Sequence, residues 1–538
     1  MTSTAMSRPE ARAQPPQRGT GRAAALVAAG ILASRLLGVV RQSLMARYLG
    51  ATSGIAADAF MAAFKIPNLL QNLFGEGALS ASFIPVYSNL LARNEREEAG
   101  RVAGAVAAIL AFVTAVLVLL GVLLTPYLIP LIAPGFTGEK RDLTIALTRV
   151  LFPGAGIFVL ASWCLGVLNS HRRFFLSYVA PALWNVAMIG ALVGFGGRQD
   201  RITLAVTLAW ASVAGAALQF LIQLPTVLRL VPGLRLSPDY TRANVRAILT
   251  NFTPVFFSRG VVQVSTYIDQ LLASLLPQGM VALLGYATTI YTLPVSLFGM
   301  AISAAELPEM SSVLGDEPEV ATMLRVRLNA GLRRIAFFVI PSAAAFLVLG
   351  DVIARALFQS GRFTETDTIF TWGILAGSAV GLLASTLGRL YSSTYYALHD
   401  TRTPLRFAIV RVVLTTALGY LFAIPLPGML GIDSRWGAAG LTASAGIAGW
   451  IEFLLLRSRL NRRIGDTGLP RQYVGLLWLS AAAAAAVAFL IRRELPATHR
   501  FLFAVVVLGA FGLVYGGFTL ALRVPESRAL LARVSRRQ

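Results

Sequence analysis

The chain has 538 residues, of which 56% are hydrophobic and 13% are charged, whereas an average soluble protein is about 25% charged. This composition excludes an ordinary soluble domain and indicates a polytopic membrane protein. The formal net charge is +22, but the Arg residues cluster in short loops between apolar runs, which is typical of topology signals and argues against nucleic-acid binding. A single cysteine and three histidines are too few for a disulfide framework or a metal cluster.

The N-terminal segment comes before the first apolar run. Residues 1–22 are rich in Arg, Pro, Gln, Ser and Thr, which predicts a disordered cytoplasmic tail. The run that starts at Ala23 is longer than the about 7–15 apolar residues of a signal peptide. We therefore expect a first helix that is retained.

Long apolar runs then continue along the chain. A bilayer-spanning helix needs about 20 such residues, and fourteen runs reach that length: 23–49, 57–91, 102–131, 143–168, 177–197, 203–228, 246–275, 281–311, 331–354, 367–397, 404–425, 436–456, 472–491 and 499–522. Because lipid-exposed backbone must satisfy its own hydrogen bonds, these runs predict helices. The expected fold is an all-α polytopic membrane protein with about 14 transmembrane helices.

Loop charges orient these helices, because cytoplasmic loops retain Lys and Arg. With the N-terminus on the cytoplasmic side, the inside segments hold 29 Lys and Arg residues and the outside loops hold 10. This asymmetry predicts that both termini are cytoplasmic.

Two short strings recur at one spacing. The pair SR at 34–35 recurs at 258–259, and the string LFG at 73–75 recurs at 297–299, each 224 residues later. Chance similarity between apolar helices rich in small residues is the alternative. The shared spacing favours an internal repeat, as transporters often contain.

The repeat predicts two equivalent lobes of six helices. The N-lobe covers helices 1–6 (23–228) and the C-lobe covers helices 7–12 (246–456), and both begin on the cytoplasmic side. The repeat is therefore parallel, about an axis along the membrane normal. Helices 13 and 14 (472–522) fall outside it, and a basic cytoplasmic tail (523–538) follows.

Charged residues also lie within the predicted helices, and those near helix ends, Arg47, Arg149 and Arg411, are expected to snorkel to the membrane surface. Arg35 and Arg259 are about 12 or 13 residues into their helices, near the midplane of the bilayer and beyond the reach of snorkelling. Arg41 adds a cation towards the outer side, and Asp58 and Asp269 add the opposite charge. Structural ion pairs are one explanation. The other is a hydrated cationic cavity between the lobes for an anionic head group, since guanidinium binds phosphate through two hydrogen bonds.

The sequence contains no signature of an enzyme. It has no GxxxxGK[ST] string for a nucleotide, and its loops are too short to house a catalytic domain. His399-Asp400 lies in a cytoplasmic turn, where a capping role is expected. We therefore predict a protein that is not an enzyme and that holds no cofactor.

Several residue strings, taken in order, resemble the MurJ/MviN family of lipid II flippases, within the multidrug/oligosaccharidyl-lipid/polysaccharide exporter superfamily. These strings extend over most of the chain and are SRLLG at 34–38, DAF at 58–60, FKIPNLL at 64–70, FGEGA at 74–78, FIP at 83–85, APGF at 133–136, LFQSGRFT at 357–364 and YYALHDTRTP at 395–404. Their order and spacing make the set specific.

The resemblance implies a function in peptidoglycan biosynthesis. Such a protein moves lipid II, an undecaprenyl-pyrophosphate-linked disaccharide-pentapeptide, from the inner to the outer leaflet of the bacterial cytoplasmic (inner) membrane by alternating access. Membrane potential or an ion gradient drives transport in place of ATP. Helices 13 and 14 would supply a groove for the lipid tail, and membrane lipids and cell-wall synthesis enzymes are the expected partners.

The resemblance also assigns candidate residues. Arg35, Arg41 and Asp58 match cavity positions of the family, whereas two cationic positions of the family are Gln71 and Thr288-Thr289 here. We predict that Arg259 takes the place of the missing helix 8 arginine, with an ion pair to an acidic residue such as Asp269 or Glu306 as the alternative. Further candidates for the cavity are Lys65, Gln71, Glu76, Asp269, Thr289 and Arg389.

Other functions are compatible with parts of this pattern. An exporter of another undecaprenyl-linked saccharide would keep a cationic cavity. A cation-coupled drug extruder would instead need an acidic or aromatic cavity, and a scaffold for cell-wall enzymes would tolerate loss of every intramembrane Arg.

Overall fold

A computed structural model describes residues 20–237, 239, 242–312, 317–495 and 499–535. At 20–29, 31–32, 76, 254–255, 257–262, 264–266, 317 and 533–535 it describes the backbone alone. Most of the predicted N-terminal tail, the last residues of the basic tail and the side chains of Glu76 and Arg259 therefore lie outside the described residues.

Within these ranges the protein is helical and has no strand, which confirms the predicted all-α class. The helices are α1 (Thr20–Leu49), α2 (Ala56–Ala63), α3 (Lys65–Phe74), α4 (Glu76–Ala92), α5 (Arg96–Ile132), α6 (Gly138–Ser170), α7 (Phe174–Phe195), α8 (Arg201–Leu230), α9 (Ala243–Ser274), α10 (Met280–Pro294), α11 (Ala301–Ser311), α12 (Glu317–Phe358), α13 (Glu365–Ala397), α14 (Arg402–Ala423), α15 (Pro425–Met429), α16 (Gly437–Ile464), α17 (Arg471–Glu494), α18 (Arg500–Ala521) and α19 (Pro525–Ser535).

Eleven helical stretches in the described part of the chain are long and apolar enough to cross a membrane. The exposed face of α5 is an example of a surface suited to lipid. Phe112, Leu119 and Leu123 are large and apolar and yet are exposed, as expected of a surface in contact with lipid tails. Three predicted spans are not among the eleven, namely those at α1, α2–α4 and α9. The count of fourteen stays a prediction.

Two predicted helices are interrupted, which sequence periodicity did not reveal. The span expected at 57–91 breaks at Phe64 and again at Gly75, which is extended (φ −81°, ψ −155°). A Cβ at Gly75 would collide with the carbonyl oxygen four residues earlier, so this break needs glycine. The span expected at 281–311 contains a π-helical turn, Val295–Met300, directly after Pro294, where a proline removes a backbone hydrogen bond.

The helices pack in two groups, which we call the N-lobe (α1–α8) and the C-lobe (α10–α16). In the N-lobe α6 packs against α5 and α8, and α7 against α1 and α8. In the C-lobe α13 packs against α12 and α16, and α16 against α14. Helices α17 and α18 pack against each other and against α12. We call the end of the bundle with the Arg-rich loops the inner side, because it is predicted to be cytoplasmic, and the opposite end the outer side.

Helix α9 contacts both lobes, although the sequence assigns it to the C-lobe. Near its inner end, Phe252 contacts Phe74 of α3 with ring centroids 5.6 Å apart. Near its outer end, Leu272 lies beside Gly419 of α14. The helix therefore crosses from the N-lobe to the C-lobe and forms one wall of the space between them.

Candidate functional site

A cavity of about 1240 Å³ lies between the two lobes. Helices α1, α3, α6 and α7 of the N-lobe face α9, α10, α13, α14 and α16 across it. Among the described residues, the charged side chains that line it are Arg35, Arg41, Lys65, Asp269 and Arg411. Four of these five charges are positive, so the cavity suits an anion.

Arg41 is the most enclosed cation of the cavity. Its guanidinium carbon lies 4.4 Å from the centroid of the Trp184 ring, a cation–π contact that stabilises the charge without neutralising it. Its Nε atom is buried and has no hydrogen-bond partner in the part of the chain that the structure describes. Since buried polar groups are nearly always hydrogen-bonded, Arg41 has donor capacity that a bound anion would satisfy.

Two other N-lobe cations line the same cavity as Arg41. Arg35 lies six residues earlier on α1 and is exposed, and Lys65 is half-buried at the start of α3. The Tyr267 hydroxyl of α9 donates to the Lys65 carbonyl oxygen at 2.7 Å and fixes the backbone at this point. Among the described residues, no carboxylate lies within 4 Å of any of the three cations. The N-lobe wall therefore keeps its positive charge.

The C-lobe wall is different, because its cation has an acidic partner. Arg411 of α14 donates from Nη1 to Glu452 Oε2 of α16 at 3.1 Å. Arg389 of α13 is not among the residues that line the cavity, but it interacts electrostatically with Arg411 and Glu452. Asp269 of α9 lines the cavity nearby. This wall therefore carries balanced charge.

Asp58 lies outside the cavity lining, at the outer boundary between the lobes. Its side chain is 0% exposed. Oδ2 accepts hydrogen bonds from Lys140 Nζ at 2.5 Å and from the Gly279 backbone N–H at 2.7 Å, and Oδ1 accepts from the Ala282 N–H at 2.8 Å. An N-lobe carboxylate thus caps the N-terminus of C-lobe helix α10, where the helix dipole favours negative charge.

Other contacts join the lobes at the same level. Asp367 Oδ1 of α13 accepts from the Thr52 backbone N–H at 3.1 Å and from the Thr52 hydroxyl at 2.6 Å. The Tyr286 hydroxyl donates to the Gly50 carbonyl oxygen at 3.2 Å. Together with Asp58, these contacts form a layer that we call the outer seal. It closes the interface between the lobes on the outer side of the cavity.

The structure brings most of the predicted residues together. Arg35, Arg41, Lys65, Gln71, Asp269 and Thr289 line the cavity, and the Gln42 amide donates across the lobes to the Thr289 hydroxyl at 3.4 Å. Asp58 and Arg389 lie elsewhere, as described above. The side chains of Glu76 and Arg259 are outside the described residues, so the predicted substitution of Arg259 for the helix 8 arginine stays a prediction.

Sequence reasoning missed Arg411, which was expected to snorkel because it lies near the start of its helix. The signal that was available is Glu452, an acidic residue within the neighbouring apolar run. A cation and an acid on adjacent membrane helices commonly pair. Among the described residues, no group of three His, Cys, Asp or Glu side chains is placed to hold a metal ion.

Comparison with known proteins gives a consistent family. The sequence profile described as "Lipid II flippase MurJ" matches residues 45–510. A probable lipid II flippase MurJ of Rhizobium tropici is 32% identical over 483 residues, which is 87% of each chain. The lipid II flippase MurJ of Burkholderia cenocepacia is 32% identical over 450 residues, covering 82% of this chain and 84% of that protein.

Solved structures show the same fold. A lipid II flippase MurJ in an inward closed conformation superposes with a TM-score of 0.75 and 24% identity, over 93% of this chain and 99% of that chain. An inward-facing multidrug resistance transporter of the MATE family superposes with a TM-score of 0.62 and 17% identity, over 82% and 98% of the two chains. With its profile match over most of the sequence and relatives more than 30% identical along their length, the chain belongs to the MurJ family.

Proposed function

We propose that this protein moves lipid II, a polyprenyl-pyrophosphate-linked peptidoglycan precursor, from the inner to the outer leaflet of the bacterial cytoplasmic membrane. The observation that supports this most directly is the N-lobe wall of the cavity, where Arg35, Arg41 and Lys65 stand without an acidic partner among the described residues. Guanidinium groups bind phosphate oxygens through charge-assisted hydrogen bonds. A pyrophosphate in the cavity would satisfy the charge that the protein leaves unpaired.

The proposed route is alternating access between the lobes, without a chemical step. The outer seal closes one side of the cavity, so in this state the head group would enter from the inner side. Release to the outer leaflet would require Asp58 and Thr52 to leave their C-lobe partners. We propose that membrane potential or an ion gradient drives this change, since moving one charge through 100 mV is worth about 2.3 kcal/mol.

The proposed function is tested by replacement of a host flippase. In a bacterium whose own lipid II flippase is depleted, expression of this chain should prevent lysis and sustain growth. An Arg149→Ala variant serves as control, because Arg149 lies in a predicted span and its Nε donates to the Val122 carbonyl oxygen, away from the cavity. Lysis despite normal abundance of the protein in the membrane would contradict the proposal. Restored surface display of another undecaprenyl-linked saccharide would then favour that substrate.

The orientation has a separate test. A reporter enzyme that is active only in the periplasm, fused after Gln538, should give no activity, because the charge asymmetry of the loops predicts a cytoplasmic C-terminus. The same reporter inserted after Ser434, on the outer side, should be active. Strong activity after Gln538 would mean an odd number of spans.

A further inference from the structure

Asp269 stands out among the residues around the cavity. It is the one acidic residue among the described residues that line the cavity. Its Oδ1 atom is buried and has no hydrogen-bond partner among the described residues, although burial of a carboxylate oxygen without a donor is unfavourable. An acid in an otherwise cationic cavity, with an unsatisfied oxygen, needs an explanation other than packing.

Two cations from different lobes act on this carboxylate. Lys65 of the N-lobe and Arg411 of the C-lobe both interact electrostatically with Asp269. Neither forms an ion pair with it within 4 Å, since Arg411 is bonded to Glu452 instead. Asp269 is therefore attracted to two positive groups without forming an ion pair within 4 Å with either.

Structural ion pairs in this protein look different. Asp58 receives three hydrogen bonds, including one from Lys140 at 2.5 Å. Asp351 and Arg492, which join α12 to α17, meet through a hydrogen bond at 2.9 Å and a second ion-pair contact at 2.6 Å. The loose arrangement around Asp269 is therefore not that of a fixed structural pair.

An anion in the cavity would change the balance around Asp269. It would bind at the N-lobe wall, where Arg35, Arg41 and Lys65 have no described acidic partner within 4 Å, because the C-lobe cation is already paired with Glu452. Its charge would compensate Lys65 and repel the Asp269 carboxylate. Among the described residues that line the cavity, Arg411 is the remaining cation that Asp269 could approach, and it belongs to the opposite lobe from Lys65.

We propose that Asp269 senses whether the cavity is occupied. When the cavity is empty, the attraction of Asp269 to Lys65 holds the lobes together. When a pyrophosphate group binds, the Asp269 side chain moves towards Arg411 and the lobes are released. This inference rests on the proposed function, because it assumes an anionic head group. Asp269 is then a positioning residue that couples binding to opening of the outer seal. A ligand can shift the two states only through such a difference in its interactions with them.

The test measures the opening of the outer side directly. Spin labels are placed at Arg198→Cys in the N-lobe and Ser434→Cys in the C-lobe, both exposed on the outer side, in a Cys164→Ala background. The distance between the labels is measured in lipid nanodiscs by pulsed electron paramagnetic resonance, with and without undecaprenyl pyrophosphate. In the otherwise unchanged protein, the probe should increase the population with the longer distance.

The Asp269→Asn variant should show that longer distance without the probe, at several times the population of the unchanged protein, because the attraction to Lys65 is lost. Its affinity for the probe should be equal or about three- to tenfold tighter, since a like charge near the anion has gone. Asp269→Glu keeps the charge and should restore the probe-dependent response. Lys65→Gln should also open without the probe, but its affinity for the probe should fall.

Two results overturn the inference in different ways. If the unchanged protein responds to the probe and Asp269→Asn behaves identically, Asp269 is not the sensor and the proposed function stands. If the unchanged protein neither binds the probe nor changes the distance between the labels, both the proposed pyrophosphate substrate and the sensor role of Asp269 are contradicted. An Asp351→Asn variant, changed at an ion pair outside the cavity lining, should respond like the unchanged protein.

Discussion

Replacing Arg41 by alanine is expected to abolish support of growth in a flippase-depleted host while leaving the protein in the membrane. Arg41 is enclosed against Trp184 and has a buried Nε without a described hydrogen-bond partner. Truncation of one member of a buried charged contact costs about 2–5 kcal/mol, which corresponds to a loss of at least about thirtyfold in pyrophosphate affinity. The protein itself loses no ion pair, since none within 4 Å joins Arg41 to a described acid.

Two variants make this result specific. Arg41→Lys keeps the positive charge but loses the planar fork and much of the stacking on Trp184, so partial activity is expected. Arg149→Ala removes an arginine of a predicted span whose Nε bonds to a carbonyl oxygen of α5, and it should be active. Normal growth with Arg41→Ala, at a protein level equal to that of Arg149→Ala, would exclude Arg41 as a required substrate contact.

The parts of this structure that are local in sequence were predictable. Apolar runs of sufficient length can only be helices in lipid, so the all-α class followed from composition and run length. The insertion cost of a charge far from a helix end likewise favoured a cavity beside Arg35, which lines the cavity. These arguments need only the distance of a residue from the end of its own helix.

The parts that depend on contacts between distant segments were not predictable. Asp58 was expected in the cavity because it matches a cavity position of the family, but it accepts hydrogen bonds from the backbone N–H groups of Gly279 and Ala282, which no residue pattern marks. Arg411 was expected to snorkel because it lies near the start of its helix, whereas its partner Glu452 is supplied by another helix. Both contacts depend on a partner that another helix supplies.

The second large effect is expected at the outer seal. Asp58→Asn should weaken the closed state, because the amide lacks the charge that pairs with Lys140 and with the N-terminus of α10. The NH₂ group of the new asparagine is a hydrogen-bond donor, and it would face the donors from which the Asp58 carboxylate accepts its bonds. Loss of a buried, hydrogen-bonded charge of this kind costs about 2–5 kcal/mol. The share of this energy that comes from bonds between Asp58 and the C-lobe stabilises only the closed state, so its loss favours opening.

The opening of the seal can be followed through Thr289, which lines the cavity. With Thr289→Cys in the Cys164→Ala background, a membrane-impermeant maleimide added to spheroplasts should react slowly, because the outer seal covers the cavity. With Asp58→Asn added, labelling should be at least about tenfold faster, since each 1.4 kcal/mol shifts the closed and open populations by tenfold.

The matched control for this effect is Asp433→Asn. Asp433 is also on the outer side and pairs with a cation, Arg435 at 2.5 Å, but it is exposed and lies within a single loop of the C-lobe. Its loss removes a comparable ion pair without touching the boundary between the lobes, and exposed pairs contribute only about 0–1 kcal/mol. If Asp58→Asn labels no faster than Asp433→Asn, the carboxylate of Asp58 does not hold the outer side closed, and its burial against α10 serves the folding of the protein alone.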